Sequence, residues 1–327
     1  MSGLPSTVKE RTRTDFVLTK PTGFGLQRRR EGLQLFLLSL PFLLLVFLFS
    51  YLPLFGWTYA FVDYRPGFRI SEMEFVGFRH FTSLVANPFI RDDILRVLRN
   101  TFAMSFLGLA ASPLPMIFAI FLTEIRRNAP RSLIQTLSTL PNFISWVLVY
   151  SVAWSIFSVG DGFLNKVLLE VGLIDSPINY LASPDNVWLK MMGYGIWKGL
   201  GWSAILYLAA ISAVDPQLYE AAVVDGAGRF QRMWYITVPA LMPTYFVLLL
   251  ISIANFLNHG FEQYFVFQNA MTKPRIEVLD LYVFNQGLAG RNISYATVVG
   301  LLKSVVSIVL LFSANQLSKL VRKQSIV

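Results

Sequence analysis

Residues 33–56 read LQLFLLSLPFLLLVFLFSYLPLFG, a run that carries no charged side chain. About 20 apolar residues of α-helix span the hydrocarbon core of a bilayer, so this run predicts a membrane-spanning helix. Further apolar blocks follow at 99–123, 133–158, 187–213, 239–263 and 296–318. The sequence therefore predicts an all-α integral membrane protein with six transmembrane helices.

The composition of the whole chain of 327 residues agrees with this prediction. Hydrophobic residues make up 54% and charged residues only 14%, whereas about 25% of an ordinary soluble domain is charged. The absence of cysteine excludes disulfides, thiolate metal sites and cysteine nucleophiles. The formal net charge of +9 would suit nucleic acid, but membrane proteins collect Lys and Arg on their cytoplasmic side. We therefore assign the charge to membrane topology.

Basic residues are unevenly distributed among the connecting segments. With the N-terminus in the cytoplasm, the inner segments hold 15 basic residues in 75 positions and the outer segments hold 9 in 102. The inner segments are 1–32, 124–132, 214–238 and 319–327, and the outer segments are 57–98, 159–186 and 264–295. The positive-inside rule then predicts that both termini are cytoplasmic.

This pattern divides the chain into three parts. Residues 1–32 form a basic cytoplasmic segment, residues 33–320 a six-helix transmembrane domain, and residues 321–327 a cytoplasmic tail. Within the domain, residues 57–98 mix charged and aromatic side chains, which predicts a small external cap. Residues 214–238 form a polar cytoplasmic loop that we call the signature loop.

The signature loop contains DPQLYEAAVVDGAG at 215–228 and leads into ITVP at 236–239. Asp215 followed by Pro216 predicts the start of a short helix, with an N-cap and a proline in the first turn. Gly226 predicts where that helix ends, near Asp225, because glycine adopts left-handed backbone conformations at little cost. Two short helices are therefore expected to meet at a glycine turn.

The spacing within this loop resembles a known family. Permease subunits of binding-protein-dependent ABC importers have a signature that consists of Glu-Ala-Ala, three residues, glycine, nine residues and Ile-x-x-Pro, and this loop matches it. Val238 occupies a place that usually holds leucine in that family. The resemblance covers nearly all of residues 33–320. The stretches GFEQY at 260–264 and YATVVGLLKSV at 295–305 are similar to the carbohydrate-importing branch, especially its oligo- and polysaccharide permeases.

The resemblance implies a type I importer permease that forms the translocation path for a sugar in the inner (plasma) membrane of a prokaryote. The implied partners are a second permease subunit, homologous or identical, two ATP-binding cassette subunits, an extracytoplasmic solute-binding protein, the saccharide substrate and the lipid bilayer, but no nucleic acid. The signature loop would contain the coupling helix that docks on the ATPase. The coupling residues would be Glu220, Ala221, Ala222, Asp225 and Gly226.

The chain contains no Gly-x-x-x-x-Gly-Lys-Ser/Thr phosphate loop. ATP and Mg²⁺ are therefore expected on the partner ATPase, and this chain is expected to have no catalytic residue, metal or cofactor of its own. Two alternatives remain, a permease for another class of solute and a membrane-embedded transferase. A transferase would hold Mg²⁺ with clustered carboxylates, but Asp92-Asp93 is the only adjacent acidic pair.

Two predicted spans carry polar or aromatic side chains at helical spacing. In the fifth span these are Ser252, Asn255, His259 and Glu262, with Asn258 beside them, and in the fourth span they are Tyr194, Trp197, Lys198 and Trp202. Polar groups are costly against lipid, so these side chains face either a water-filled cavity or another helix. Aromatic rings stack on sugars, so a substrate path and a packed seam are both consistent with the pattern.

Two lysines lie within predicted spans, Lys198 in the fourth and Lys303 in the sixth. A buried ammonium needs a partner, and we expect one of them to pair with Glu262. The other would leave positive charge in the cavity beside His259, which would favour an anionic sugar such as a uronate chain. Alternatively, both lysines extend to a membrane interface.

Overall fold

The computed structural model describes the backbone of residues 24–322 and the side chains of residues 31–316. Within that range the chain is helical, with one isolated β-bridge between Val62 and Phe75, so the predicted all-α fold is confirmed. The described α-helices are α1 Phe24–Val46, α2 Arg79–Ala86, α3 Pro88–Ala111, α4 Leu114–Thr123, α5 Asn128–Thr139, α6 Trp146–Phe157, α7 Phe163–Glu170, α8 Val187–Ser212, α9 Pro216–Val224, α10 Arg229–Arg232, α11 Val238–Ala254, α12 Glu262–Phe267, α13 Lys273–Ile276, α14 Leu279–Phe284 and α15 Ile293–Arg322.

Four helical stretches in the described part of the chain are long and apolar enough to cross a membrane. They are Glu31–Phe61, Pro88–Thr123, Arg229–Ala254 and Ile293–Gln316. Two further helix pairs meet the same criterion of length and composition only together, Asn128–Phe143 with Trp146–Phe157, bent by 110°, and Val187–Ser212 with Pro216–Val224, bent by 71°. Counting each pair as one span gives six, in agreement with the six apolar blocks.

The chain divides into two compact units, one ending at Gly56 and the other beginning at Trp57. In the first unit α1 contains Pro41 and continues into a π-helical turn, Phe47–Tyr51. Proline is tolerated in a spanning helix because neighbouring groups can satisfy the freed carbonyl. Residues 1–23 of the predicted N-terminal segment lie outside the described residues, and the rest of that segment belongs to α1. Most of the predicted tail, 321–327, also lies outside the described residues.

In the second unit, proline also bends the span that contains α5 and α6. A 3₁₀ turn, Leu140–Phe143, follows α5, and the backbone of Ile144 is extended before α6 begins. Pro141 lies in the first part of this turn and lacks a backbone N–H, and the extended Ile144 ends the helical ladder before α6. The break leaves the carbonyl oxygens of Asn142 and Ile144 without helical donors.

Contacts at one end of the second unit join the three predicted outer segments. The hydroxyl of Ser294 accepts from the Tyr64 amide at 3.0 Å and donates to the Val62 carbonyl at 2.6 Å. Arg96, at the end of the predicted cap, pairs with Glu277 at 3.0 Å. Arg275 Nη1 donates to the Pro184 carbonyl at 3.0 Å. These segments therefore form one face of the unit.

The opposite end is formed by two other loops. Arg229 Nε lies 3.0 Å from Glu124 Oε2, and its Nη2 donates to the Glu124 carbonyl at 2.6 Å. Glu124 follows α4, and Arg229 begins the second helix of the signature loop. The loops 124–132 and 214–238 thus lie at the same end, as the count of basic residues predicts.

Candidate functional site

The signature loop folds as two short helices around a glycine turn. Helix α9 starts at Pro216, and the Asp215 carboxylate accepts from the Gln217 amide at 2.9 Å, which caps it. Gly226 adopts a φ of +79°, a left-handed conformation that costs other residues energy. The helix ends at Val224, one residue before the predicted end at Asp225.

One side of the signature loop contacts the next span, and the other side is exposed. The hydroxyl of Tyr219 lies 3.0 Å from that of Thr237, which ties α9 to the start of the next span. Glu220, Ala221 and Asp225 are exposed, and Ala222 is half-buried. Large apolar side chains are exposed beside them, with Val224 at 87% as the extreme. An exposed apolar surface of this kind is typical of a protein-binding site.

The fifth span ends earlier than predicted. Helix α11 stops at Ala254, and the chain continues without regular helix to Gly260, whose φ is +68°. The Asp280 carboxylate accepts from the amides of His259 and Gly260 at 3.0 and 2.9 Å. The predicted continuous helix over 239–263 is therefore wrong, because a carboxylate from a later segment satisfies the amides of an unwound turn. The polar side chains after Ala254 do not share a helical face.

The lysines in the spans have partners other than the predicted one. Lys303 forms an ion pair with Asp280, whose other oxygen holds the unwound turn. Glu262 is exposed and forms no ion pair among the side chains of residues 31–316. The predicted pairing of a lysine with Glu262 is therefore wrong. Asp280 escaped the prediction because it lies outside every apolar block.

Lys198 binds the bend in the span of α5 and α6. Its Nζ donates to the carbonyls of Pro141, Asn142 and Ile144 at 3.3, 2.8 and 2.7 Å. It also lies 5.6 Å from the centre of the Trp146 ring. Unpaired carbonyls in a spanning segment are costly, so the ammonium satisfies the Asn142 and Ile144 oxygens, which the extended backbone at the bend leaves without helical donors.

A cavity of about 550 Å³ lies between α3, α4, α8 and α11, and we call it the central cavity. Its wall on α8 includes Gly195, Gly199 and Trp202, and the opposite wall includes Ser252 and His259. Half of the Trp202 surface is exposed, and its ring meets Phe143 edge-on at 5.7 Å. The cavity thus combines an aromatic face, bare helix backbone and polar groups.

Hydrogen bonds fix the polar side of the central cavity. The His259 Nε2 lies 2.8 Å from the Ser105 hydroxyl, and Gln263 Nε2 donates to the Met191 carbonyl at 2.7 Å. Burial lowers the pKa of His259, which lies beyond the end of the span, although the nearby Asp280 carboxylate acts in the opposite direction. The neutral imidazole is therefore favoured, and it adds no positive charge to the cavity.

The predicted path residues are distributed over several places. Trp202 and His259 line the central cavity. Tyr194 stacks on Phe267 with ring centres 4.6 Å apart, and Asn258 lines a separate pocket of about 810 Å³ beside Lys303. The remaining predicted residues, Trp197, Lys198, Asn255 and Glu262, are not among the lining residues of either.

Among the central-cavity residues that sequence reasoning missed are Gly195, Gly199 and Gln263. The two glycines are four positions apart and therefore lie on one side of α8. A Cβ at Gly199 would meet no atom within 4 Å, so glycine there leaves space. Two glycines four positions apart in a spanning helix were the sequence signal that could have located this wall of the cavity. Such small residues also mark sites where two helices pack closely.

Comparison with known proteins identifies the class. Residues 111–323 match the family model described as binding-protein-dependent transport system inner membrane component. In Bacillus subtilis, Protein LplB is 42% identical over 87% of this chain and 88% of its own length. The polygalacturonan/rhamnogalacturonan transport system permease protein YteP of the same species is 39% identical over 87% of each chain.

A solved structure agrees in fold. A chain in the crystal structure of a bacterial ABC transporter involved in the import of the acidic polysaccharide alginate superimposes with a TM-score of 0.80 at 30% identity, covering 91% of this chain and 99% of that chain. The chain belongs to the family of binding-protein-dependent transport system inner membrane components. It is a multi-pass inner-membrane permease. Members of this family are membrane subunits without enzymatic activity.

Proposed function

We propose that this chain is one of two permease subunits in an ATP-driven importer of acidic oligo- or polysaccharides. The central cavity carries the proposal, because Trp202, Ser252 and His259 line it together. An aromatic face binds the apolar side of a sugar ring while polar groups bind its hydroxyls. The relative YteP is named for polygalacturonan and rhamnogalacturonan transport, and the similar structure for alginate import. All three polymers are acidic.

The signature loop is the proposed contact with the ATPase. Glu220, Ala221 and Asp225 are exposed beside bare apolar side chains, and Gly226 fixes the turn between the two helices. In this proposal ATP and Mg²⁺ bind to two separate ATPase subunits and both termini of the chain are cytoplasmic. An extracytoplasmic binding protein delivers the sugar at the opposite end. A similar structure, of a bacterial alginate ABC transporter, is a complex with a periplasmic protein bound to alginate pentasaccharide.

Replacing Gly226 by valine tests the ATPase contact. A β-branched residue resists a φ of +79°, so Gly226→Val should distort the turn. We expect at least a tenfold fall in sugar uptake, with either continued ATP hydrolysis or release of the ATPase from the membrane. Uptake and ATPase activity are measured on the same proteoliposomes of the assembled importer.

Gly172→Val is the matched control. Gly172 also has a positive φ, +73°, with open space around the position of a Cβ, but it follows α7 and lies outside the signature loop. It should lose a similar amount of stability and keep wild-type coupling. Coupled transport at the wild-type level in Gly226→Val would refute the proposed contact.

The substrate class is tested by uptake of uronate oligosaccharides against neutral oligosaccharides of equal length. Proteoliposomes contain the complete importer, and the binding protein is supplied outside. ATP-dependent uptake of uronates is the expected result. Uptake of neutral sugars alone, or of a solute that is not a sugar, would replace the proposed substrate while leaving the permease role intact.

A further inference from the structure

A second cavity, of about 600 Å³, lies between α3 and the beginning of α8, and we call it the arginine pocket. Its wall carries the side chains of Arg99 and Arg275. Both are exposed, and neither forms an ion pair with any side chain of residues 31–316. Two guanidinium groups without carboxylate partners at one pocket provide a site of positive charge.

The carboxylates near the arginine pocket are already engaged. Glu277, whose residue is only 2% exposed, accepts from Arg96 at 3.0 Å and from the Asn285 amide at 2.7 Å. Asp185 accepts from the Ser183 hydroxyl at 3.2 Å. Neither carboxylate forms an ion pair with Arg99 or Arg275 among the described side chains.

Contacts with one short segment hold both arginines in place. Arg275 Nη1 donates to the Pro184 carbonyl at 3.0 Å, and its own carbonyl accepts from the Trp188 indole at 2.6 Å. The Arg99 guanidinium lies 6.0 Å from the centre of the Trp188 ring. A guanidinium has five N–H donors in a planar fork that matches a carboxylate. Most donors of both groups remain available, beside an indole ring.

The arginine pocket and the central cavity are bounded by the same two helices. Ala103 on α3 and Leu189 on α8 line the first, and Met104 and Met191 line the second. With a rise of 1.5 Å per residue, Trp202 lies about 21 Å further along α8 than Trp188. The arginine pocket is at the end opposite the signature loop, where the proposed function has the sugar enter.

We propose that the arginine pocket is an entry subsite, in which Arg99 and Arg275 bind a carboxylate of an acidic saccharide before it reaches the central cavity. This inference rests on the proposed function as an importer of acidic saccharides. It assigns the choice of an anionic substrate to these two arginines and not to Lys198, whose ammonium is bound to backbone carbonyls.

The test uses Arg99→Gln, Arg275→Gln and the double variant in the complete importer, reconstituted in proteoliposomes. The probe is a galacturonate tetrasaccharide delivered by the importer's binding protein. Maximal uptake rate and the concentration of loaded binding protein at half-maximal uptake are both measured. Arg91→Gln is the matched control, because Arg91 is an exposed arginine of α3 that pairs with Asp92 and lies outside the pocket.

We expect the double variant to lower the maximal rate at least tenfold, because charge-assisted hydrogen bonds to a carboxylate are strong and glutamine carries no charge. The half-saturating concentration of binding protein should stay unchanged. Arg99→Lys and Arg275→Lys, which keep the charge but lose the fork, should retain part of the rate. Arg91→Gln should transport like the wild type.

Three results would overturn the entry subsite. An unchanged maximal rate in the double variant would remove any role in sugar passage. A raised half-saturating concentration with an unchanged maximal rate would make the arginines a contact for the binding protein. A wild-type importer that takes up neutral oligosaccharides but no uronate would overturn the proposed acidic substrate as well, before any variant is compared.

Discussion

The two sides of α8 differ although both carry glycine and a large or charged side chain. On one side Gly199 and Trp202 line the central cavity. On the other side Gly201 lies so close to α5 that a Cβ there would overlap the Ser138 backbone, and Lys198 binds the carbonyls after α5. Gly199 and Gly201 are two positions apart, which is about 200° around the helix axis.

The comparison shows that residue type alone does not separate a path from a seam. Glycine leaves space for a ligand on the first side and lets two backbones approach on the second. Lys198, the most polar residue of the helix centre, belongs to the second side, where its charge satisfies a break in a neighbouring span. The chemistry of each position follows from what lies opposite it.

The largest expected effect comes from placing leucine at the two glycines. Gly201→Leu should prevent assembly, because overpacking against backbone costs more than about 3 kcal/mol. Gly199→Leu should keep or slightly raise helix stability, since leucine favours the helix over glycine by roughly 0.5–1 kcal/mol, while it fills the central cavity. We expect a normal amount of complex with at least tenfold lower sugar uptake.

Thermal unfolding and the yield of complex measure the first effect, and proteoliposome uptake measures the second. Gly199→Ala, which adds a single methyl group, is the control and should transport at near the wild-type rate. If Gly199→Leu transports normally, the central cavity is not the path. Equal losses of yield in both leucine variants would contradict the proposed difference between the two sides of α8.

A smaller effect is expected from removing the ammonium of Lys198. Lys198→Met keeps the length of the side chain and leaves the carbonyls of Asn142 and Ile144 without their donor, while the Pro141 carbonyl keeps the Ile144 amide. An unsatisfied buried acceptor costs about 1–3 kcal/mol, so the variant should unfold at a lower temperature. Uptake of acidic and neutral sugars should fall in the same proportion as the amount of complex.

Lys166→Met is the control for this loss of charge. Lys166 pairs with Asp161 at 3.2 Å on the surface, and such pairs contribute about 0–1 kcal/mol. A selective loss of acidic sugar in Lys198→Met, with a normal melting temperature, would return Lys198 to the substrate path that the sequence suggested.

Local features of the fold were predictable from the sequence. The apolar blocks identify the spans, and Asp215-Pro216 with Gly226 identifies α9, since cap, proline and glycine act on their immediate neighbours. The helix from Pro216 to Val224 differs from the prediction by one residue. Such features require no knowledge of the rest of the chain.

Features that depend on distant partners were not predictable. The end of the fifth span at Ala254 depends on Asp280, which accepts from His259 and Gly260. The role of Lys198 depends on carbonyls that the bend at Pro141 exposes. Helical spacing identified Trp202 and His259 as candidates, but it also selected Tyr194, which packs on Phe267. Periodicity locates a face, whereas the partner of that face comes from the tertiary structure.

The smallest expected effect concerns the two tryptophans of α8. Trp197 and Trp202 are five positions apart, about 140° around the axis, and only Trp202 lines the central cavity. Half of the Trp202 surface is exposed, so Trp202→Ala should change stability little. It removes an aromatic face, and aromatic contacts contribute about 0.5–1.5 kcal/mol, so maximal sugar uptake should fall about two- to tenfold.

Trp197→Ala is the paired variant, because it removes an equally large and similarly exposed ring from the same helix. Uptake by this variant should stay near the wild-type rate, since Trp197 is not among the lining residues of the central cavity. Maximal uptake is compared at equal amounts of complex. A larger loss in Trp197→Ala than in Trp202→Ala would move the path to the other side of α8.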